Sequence, residues 1–125
     1  MTTAPTGDRQ GVIYILKKRH YSNLRNLLLA MNEYYRKYLT LHAHPINRLL
    51  HFIGLWVTIL LVAWVLVSKL WLLLLLTPFV VYPFAWSGHY FFEKNKPAAF
   101  NNPIKAKIAD WMMFRDILRG KLRIW

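Results

Sequence analysis

Three histidines lie at the ends of two long apolar stretches of this chain, and imidazole is the side chain that first-row metals most often bind. His42 and His51 flank the start of the first stretch, and His89 lies near the end of the second. Asn47 comes four residues before His51, and Glu93 comes four residues after His89, so each pair shares a helix face. These five residues form a candidate site, and its imidazoles and carboxylate suit iron or zinc.

The other two histidines have simpler interpretations. His44 directly precedes a proline that suits the first turn of a helix, so His44 is expected near the N-cap. His20 lies in the run KKRHY and is expected to be a solvated basic residue. Glu93 has a second interpretation, because Lys94 or Lys96 can pair with its carboxylate. The chain has no cysteine, which excludes disulfides, thiolate metal sites and cysteine nucleophiles.

Two apolar stretches of membrane-spanning length position the candidate site. Residues 49–68 and 70–92 contain no Asp, Glu, Lys or Arg, and only Lys69 separates them. About 20 apolar residues match a hydrocarbon core of roughly 30 Å. We therefore predict an all-α integral membrane protein with a two-helix transmembrane hairpin, its helices at about 46–68 and 70–94. The alternative is a buried hairpin in a soluble protein, which the lack of a polar face disfavours.

Antiparallel pairing of these helices predicts that two of the histidines meet. His51 lies 18 residues before Lys69, and His89 lies 20 residues after it. At about 1.5 Å per residue, the two are roughly 27 and 30 Å from the turn, which is nearly the same depth. Pro78 and Pro83 fall inside the second helix, so a kink or a break is expected there.

Amphipathic helices are predicted on both sides of the hairpin, over residues 22–40 and 104–119. The apolar positions are Leu24, Leu27, Leu28, Met31, Tyr35 and Tyr38 in the first, and Ile108, Trp111, Met112 and Leu118 in the second. Gly120 is the expected stop of the second helix. Residues 1–11 are expected to form a flexible tail, and residues 12–125 a single membrane domain.

The distribution of basic residues predicts how the chain is oriented. Of the 17 Lys and Arg residues, eight lie in residues 1–48 and eight in residues 93–125, and the net charge is +12. The positive-inside rule then places both termini in the cytoplasm, at the inner membrane of a bacterium or the endoplasmic reticulum of a eukaryote. Anionic lipid head groups are the expected partners of this charge. Nucleic acid is not, because no nucleic-acid-binding module is recognisable. A homo-oligomer is compatible with the pattern.

Three stretches of the chain resemble the small membrane 2-hydroxy fatty acid dioxygenases, over roughly residues 30–122. They read YLTLHAHPINRLLHFIG, SGHYFFEKNKPAAFNNP and ADWMMFRDILRGKL. The spaced motifs of that family are matched, in order, by His42, Asn47 and His51, and then by Gly88, His89, Glu93, Pro97 and Ala98.

This resemblance implies an iron(II)-dependent α-oxidation in which His42, His51 and His89 are metal ligands and O₂ is the second substrate. A 2-hydroxy acid and O₂ give the acid one carbon shorter, CO₂ and water, with all atoms balanced. The substrate supplies all four electrons, which agrees with the lack of a nicotinamide or flavin fingerprint. His42, His51, His89 and Glu93 are thus the candidate catalytic residues, and Asn47 and Glu93 are expected to orient an imidazole.

Two alternatives stay open at this point. One is a zinc-dependent lipid hydrolase with Glu93 as the general base and a metal-bound water. The other is a membrane adaptor or lipid-binding hairpin without catalytic activity, in which the histidines are incidental.

Overall fold

The computed structural model describes residues 8–124, and within this range the chain is helical with no strand. Four α-helices are present: α1 (Arg9–Thr40), α2 (Pro45–Ser68), α3 (Tyr82–Gly88) and α4 (Pro103–Leu118). The connecting elements are a 3₁₀ helix (Trp71–Phe79), a π turn (His89–Glu93) and a 3₁₀ turn (Ala98–Phe100). Of the described residues, 8–33 belong to one compact unit and 34–124 to a second.

Helix α2 has the ends that the sequence predicts. It begins at Pro45, and the Nδ1 atom of the N-cap residue His44 accepts a hydrogen bond from the backbone N–H of Ile46 at 3.2 Å. It ends at Ser68, because Lys69 adopts a left-handed conformation with φ of 57°. The backbone N–H of Lys69 donates to carbonyls of the last turn, so the cap satisfies groups that the helix end exposes. The prediction of a tight turn at Lys69 is confirmed.

The second apolar segment, Trp71–Glu93, is broken rather than continuous. A 3₁₀ helix that contains Pro78 is followed by α3, which has Pro83 in its first turn, and then by the π turn. The expected break at the two prolines is confirmed. The transmembrane helix predicted at about 70–94 corresponds to the segment Trp71–Glu93, which is interrupted because each proline removes an N–H donor that a continuous α-helix would use. The 3₁₀ helix rises about 2.0 Å per residue, so it still advances along α2.

The two apolar elements expose their hydrophobic surface instead of burying it. Pro45–Ser68 and Trp71–Glu93 are both long and apolar enough to span a membrane, and only 22% and 17% of their most apolar windows are buried. Exposed side chains include Trp56, Leu60, Trp64, Val67, Leu72 and Leu75. A core hairpin of a soluble protein would bury these residues, so the hairpin indicates a membrane protein.

Helix α4 packs with a face that the sequence analysis did not select. Trp111 and Leu118, predicted to lie on the apolar side of this helix, are 40% and 57% exposed. The buried positions of α4 are Ala106, Ala109, Asp110, Met113, Phe114 and Asp116. The large apolar residues of α4 are therefore not the ones that pack against the protein. In a membrane they can face lipid, while small residues allow close helix packing.

Helix α1 is longer than predicted, since it begins at Arg9 rather than Ser22 and ends at Thr40 as expected. Of the predicted tail, residues 1–7 lie outside the described residues, and Arg9–Gly11 are helical. Tyr35 and Tyr38, near the C-terminal end of α1, pack against Ala98 and α4 in the main apolar cluster of the second unit. A second cluster joins Leu55, Val81 and Phe114, so α4 contacts both apolar elements.

Gly88 marks the closest approach of α3 to α2. A Cβ at Gly88 would overlap the side chain of Asn47 and lie 3.2 Å from its Cα. We expect Gly88→Ala to force the helices apart and lower the free energy of unfolding by about 1–3 kcal/mol, the usual cost of overpacking. Thermal unfolding in detergent measures the change. Ser87→Ala, at the half-buried neighbouring position, is the control, and equal melting temperatures for both variants would contradict the expectation.

Candidate metal centre

Three imidazoles from three different elements converge in the interior of the second unit. His42 lies in the turn between α1 and α2, His51 in α2, and His89 at the start of the π turn. Their exposed fractions are 0%, 4% and 2%. The structure thus brings together the three histidines that the sequence analysis singled out, at the depth that the hairpin predicts.

Each imidazole is held by a hydrogen bond at its Nδ1 atom. His42 Nδ1 lies 2.7 Å from the carbonyl oxygen of Tyr38, His51 Nδ1 lies 2.8 Å from Asp110 Oδ1, and His89 Nδ1 lies 2.6 Å from Asn95 Oδ1. All three partners are acceptors, so Nδ1 carries the proton in each ring. In the neutral rings this leaves a lone pair on every Nε2.

The three histidines converge on one small volume, and this arrangement can accommodate a cation. The Nε2 atoms of His42 and His51 are 3.2 Å apart, and one ligand atom from each histidine lies within 4.8 Å of the others. Two lone pairs at such a distance repel each other, and a single proton can bridge only two of the three rings. A first-row ion with bonds of about 2.1 Å reaches all three after shifts of under about 1 Å. The buried triad can therefore hold a metal ion.

The protonation of His42 is consistent with a ligand role. Burial, followed by the neighbouring ring of His51, lowers the pKa of His42 to about 2. The ring is therefore neutral at physiological pH, as a metal-binding imidazole must be. The ring of Tyr38 stacks on it with a centroid distance of 3.9 Å, which fixes its orientation.

The π turn explains how His89 obtains its partner. The chain reverses at Lys94, where φ is 52°, and this brings Asn95 back to His89. The amide of Asn95 also donates to the carbonyl oxygen of Leu41 at 3.0 Å. Asn95 thus connects the end of the second apolar segment to the turn that carries His42. Single π turns occur frequently at functional sites.

Glu93 and Asn47 lie next to the triad but do not orient its imidazoles in the structure. Glu93 Oε1 accepts from the backbone N–H of His44 at 2.6 Å and from Asn47 Nδ2 at 3.3 Å. The hydrogen bonds of the structure thus join the two residues to each other and to the N-terminus of α2 rather than to a ring. Glu93 accepts from the N-cap residue of α2, and the helix dipole favours an anion at this end. Asn47 Oδ1 is buried and has no hydrogen-bond partner.

We therefore expect Glu93→Gln to affect stability more than metal binding. Glutamine keeps an acceptor for the N–H of His44 but loses the charge, which costs about 1 kcal/mol of unfolding free energy. The measurements are the melting temperature and the metal content per chain, with Glu33→Gln, at an exposed position of α1, as the control. A tenfold loss of bound metal in Glu93→Gln would instead show that this carboxylate is a ligand.

Asp110, Asn95 and Tyr38 were missed by the sequence analysis. Asp110 Oδ1 contacts His51 and also lies 3.4 Å from the hydroxyl of Tyr38, and burial followed by the charge of Asp110 raises the pKa of that hydroxyl. The composition could have drawn attention to Asp110, because acidic residues are rare in this chain: it has five of them and 17 basic residues. A carboxylate on the buried face of a helix is costly unless it has a specific partner.

A small cleft, with a volume of about 30 Å³, leads to the imidazoles. Its walls come from α3 with the preceding Val81, from the loop before α4, and from α4 itself. The lining residues are Tyr38, His42, His51, Val81, Tyr82, Ala85, Trp86, His89, Pro97, Ala98, Ala99, Pro103, Ala106, Lys107 and Asp110. A mostly apolar cleft with a few convergent polar groups is typical of a small-molecule site. His44 caps α2, and His20 is exposed in the first unit, so neither contributes to it.

Comparison with known proteins gives one match. A family model described as "2-hydroxy-palmitic acid dioxygenase Mpo1-like" matches residues 28–122, which is most of the chain and includes every residue of the triad. No curated protein and no solved structure matches significantly.

Proposed function

Because the chain belongs to the Mpo1-like family of 2-hydroxy-palmitic acid dioxygenases, we propose that it is a membrane-bound iron(II) dioxygenase. The substrate is a 2-hydroxy fatty acid, and the products are the fatty acid one carbon shorter, CO₂ and water. The observation that carries the proposal is the triad of buried imidazoles, each with Nδ1 fixed and Nε2 free.

His42, His51 and His89 hold the metal in this proposal. The bound iron supplies O₂ activation and a template for the reacting head group. Three protein ligands leave positions for exogenous groups, which a structural site with four protein ligands does not. Hydrogen bonds from the three Nδ1 atoms fix the rings before the substrate arrives, so little reorganisation is needed.

The cleft residues bind and orient the lipid. Val81, Ala85 and Trp86 form an apolar wall beside the imidazoles, and they belong to the element whose outer surface is exposed. A fatty acid in the membrane can therefore place its carboxyl end at the triad while its acyl chain stays in an apolar environment. The same apolar wall limits the access of water to the reacting carbon.

The direct test is a reaction with purified protein in detergent, Fe(II), O₂ and 2-hydroxypalmitic acid, with the products identified by mass spectrometry. Pentadecanoic acid and CO₂ in equal amounts, with one O₂ consumed per turnover, support the proposal. Metal analysis of the isolated protein separates the alternatives. Zinc with hydrolysis of a lipid ester, or no bound metal at all, would reject the dioxygenase.

For orientation, we propose that both termini face the cytoplasm and that the basic flanks contact anionic lipids. The support is the charge distribution, since 16 of the 17 Lys and Arg residues lie outside the stretch 49–92 and only Lys69 lies within it. Reporter fusions at each terminus test the proposal. A C-terminal reporter that is active only outside the cytoplasm would reject it.

A further inference from the structure

One basic side chain lies in the wall of the cleft. Among the lining residues, which all belong to the described part of the chain, Lys107 is the only Lys or Arg. It lies on α4, one helical turn before Asp110, so the two residues share a face of the helix. Asp110 in turn contacts His51. Lys107 is thus about one turn away from the carboxylate that holds a ring of the triad.

The ammonium group of Lys107 is fixed but not saturated. Nζ donates a hydrogen bond to the carbonyl oxygen of Pro78 at 3.0 Å, at the break in the second apolar segment. It also lies 5.0 Å from the centroid of the Tyr82 ring, so the aromatic face stabilises the cation. An ammonium has three N–H donors, and Pro78 takes one of them. The remaining donors are available to a ligand in the cleft.

An anion fits this environment better than a neutral group. Lys107 is half-buried, and burial lowers its pKa while the charge of Asp110 raises it. The half-buried side chain ends in an ammonium whose bond to Pro78 lies at an exposed position, so an anion that enters the cleft can reach it. The other lining residues are mostly apolar, which strengthens a charge-assisted hydrogen bond in the cleft.

We propose that Lys107 is a specificity-determining residue that binds the carboxylate of the lipid and selects free acids over their esters. The inference rests on the proposed function, because it assumes that a 2-hydroxy fatty acid enters this cleft. The ammonium donates to a carboxylate oxygen in the cleft that the three imidazoles also line. An ester offers no negative charge and binds more weakly.

A purely structural role is the competing explanation, since the bond to Pro78 also joins α4 to the second apolar segment. Lys107→Met removes the charge but keeps the long apolar stem, and Lys107→Arg keeps the charge. The matched control is Lys105→Met, at an exposed position of the same helix outside the cleft. A structural role would be revealed by loss of stability without a change in the preference for acid over ester.

The experiment measures equilibrium binding of 2-hydroxypalmitic acid and its methyl ester to the full chain in detergent, without O₂, together with KM for the acid in air. We expect Lys107→Met to lose roughly 10- to 100-fold in affinity for the acid, while its affinity for the ester stays the same. KM should rise by a similar factor with a smaller change in kcat. Lys107→Arg and Lys105→Met should keep the preference for the acid.

Two results would overturn the inference. One is a parent protein that binds the ester as tightly as the acid, which decides the question even if Lys107→Met does not fold. The other is a folded Lys107→Met that retains the preference of the parent. Failure of the dioxygenase proposal looks different: the parent would bind the acid in preference to the ester and lose that preference in Lys107→Met, but would form no shortened fatty acid.

Discussion

Replacement of His89 by alanine is expected to abolish both metal binding and turnover while the protein still inserts into the membrane. The substitution removes one of three converging Nε2 atoms and leaves two, too few to hold an ion in an open site. Membrane insertion depends on the apolar stretches, and removal of an imidazole makes them no less apolar. His89 gives a cleaner variant than His51, because its partner Asn95 is neutral and keeps its bond to Leu41.

The measurements are metal per chain after loading with Fe(II), conversion of 2-hydroxypalmitic acid, and the membrane fraction after alkaline extraction. His51→Ala is expected to give the same loss of metal and activity, with lower stability as well, since the buried Asp110 would keep only its longer contact with the hydroxyl of Tyr38. His20→Ala, in the first unit, is the control and should match the parent. Activity equal to the parent in His89→Ala would reject the metal centre.

The hairpin and the meeting of the histidines could be predicted from the sequence because both depend on simple distances along the chain. An uncharged stretch of about 20 residues specifies a span, and nearly equal distances from Lys69 place His51 and His89 at one depth. The caps of α2 are local as well: His44 and Pro45 specify its start, and Lys69 specifies its end. Features of this kind need no knowledge of how distant elements pack.

The partners of the imidazoles could not be predicted in the same way. Asp110 is 59 positions from His51, and nothing in local spacing relates them. The helix period identified a stripe of large apolar residues on α4, but whether such a stripe faces protein or lipid is decided by the surroundings. Asn95 reaches His89 only because the chain forms a π turn and reverses at Lys94, and a regular helix would have favoured Glu93 instead.

The contact between Asp110 and His51 leads to the second large expected effect. Asp110→Asn is expected to reduce metal affinity or turnover by about 10- to 100-fold, the usual range for a residue that orients a metal-binding imidazole. The asparagine oxygen can still accept from His51 Nδ1, but the charge that makes the ring a better ligand is lost. If the new amide group is rotated by 180°, its N–H groups face the protonated Nδ1 atom of His51, and no hydrogen bond forms.

Asp116→Asn separates this effect from general damage to α4. Asp116 is a buried carboxylate on the same helix and accepts from the hydroxyl of Tyr35 at 3.0 Å, much as Asp110 accepts from Tyr38, but it contacts no imidazole in the described chain. Both variants lose a buried charge next to a tyrosine, so both should melt at a lower temperature than the parent. Only Asp110→Asn should lose metal when it competes with a chelator at fixed free iron.

Equal metal affinity in the two variants would mean that Asp110 stabilises the helix packing alone. A selective loss of metal in Asp110→Asn would make Asp110 the positioning residue for His51. Tyr38 would then support two members of the site, since its hydroxyl donates to Asp110 and its ring stacks on His42.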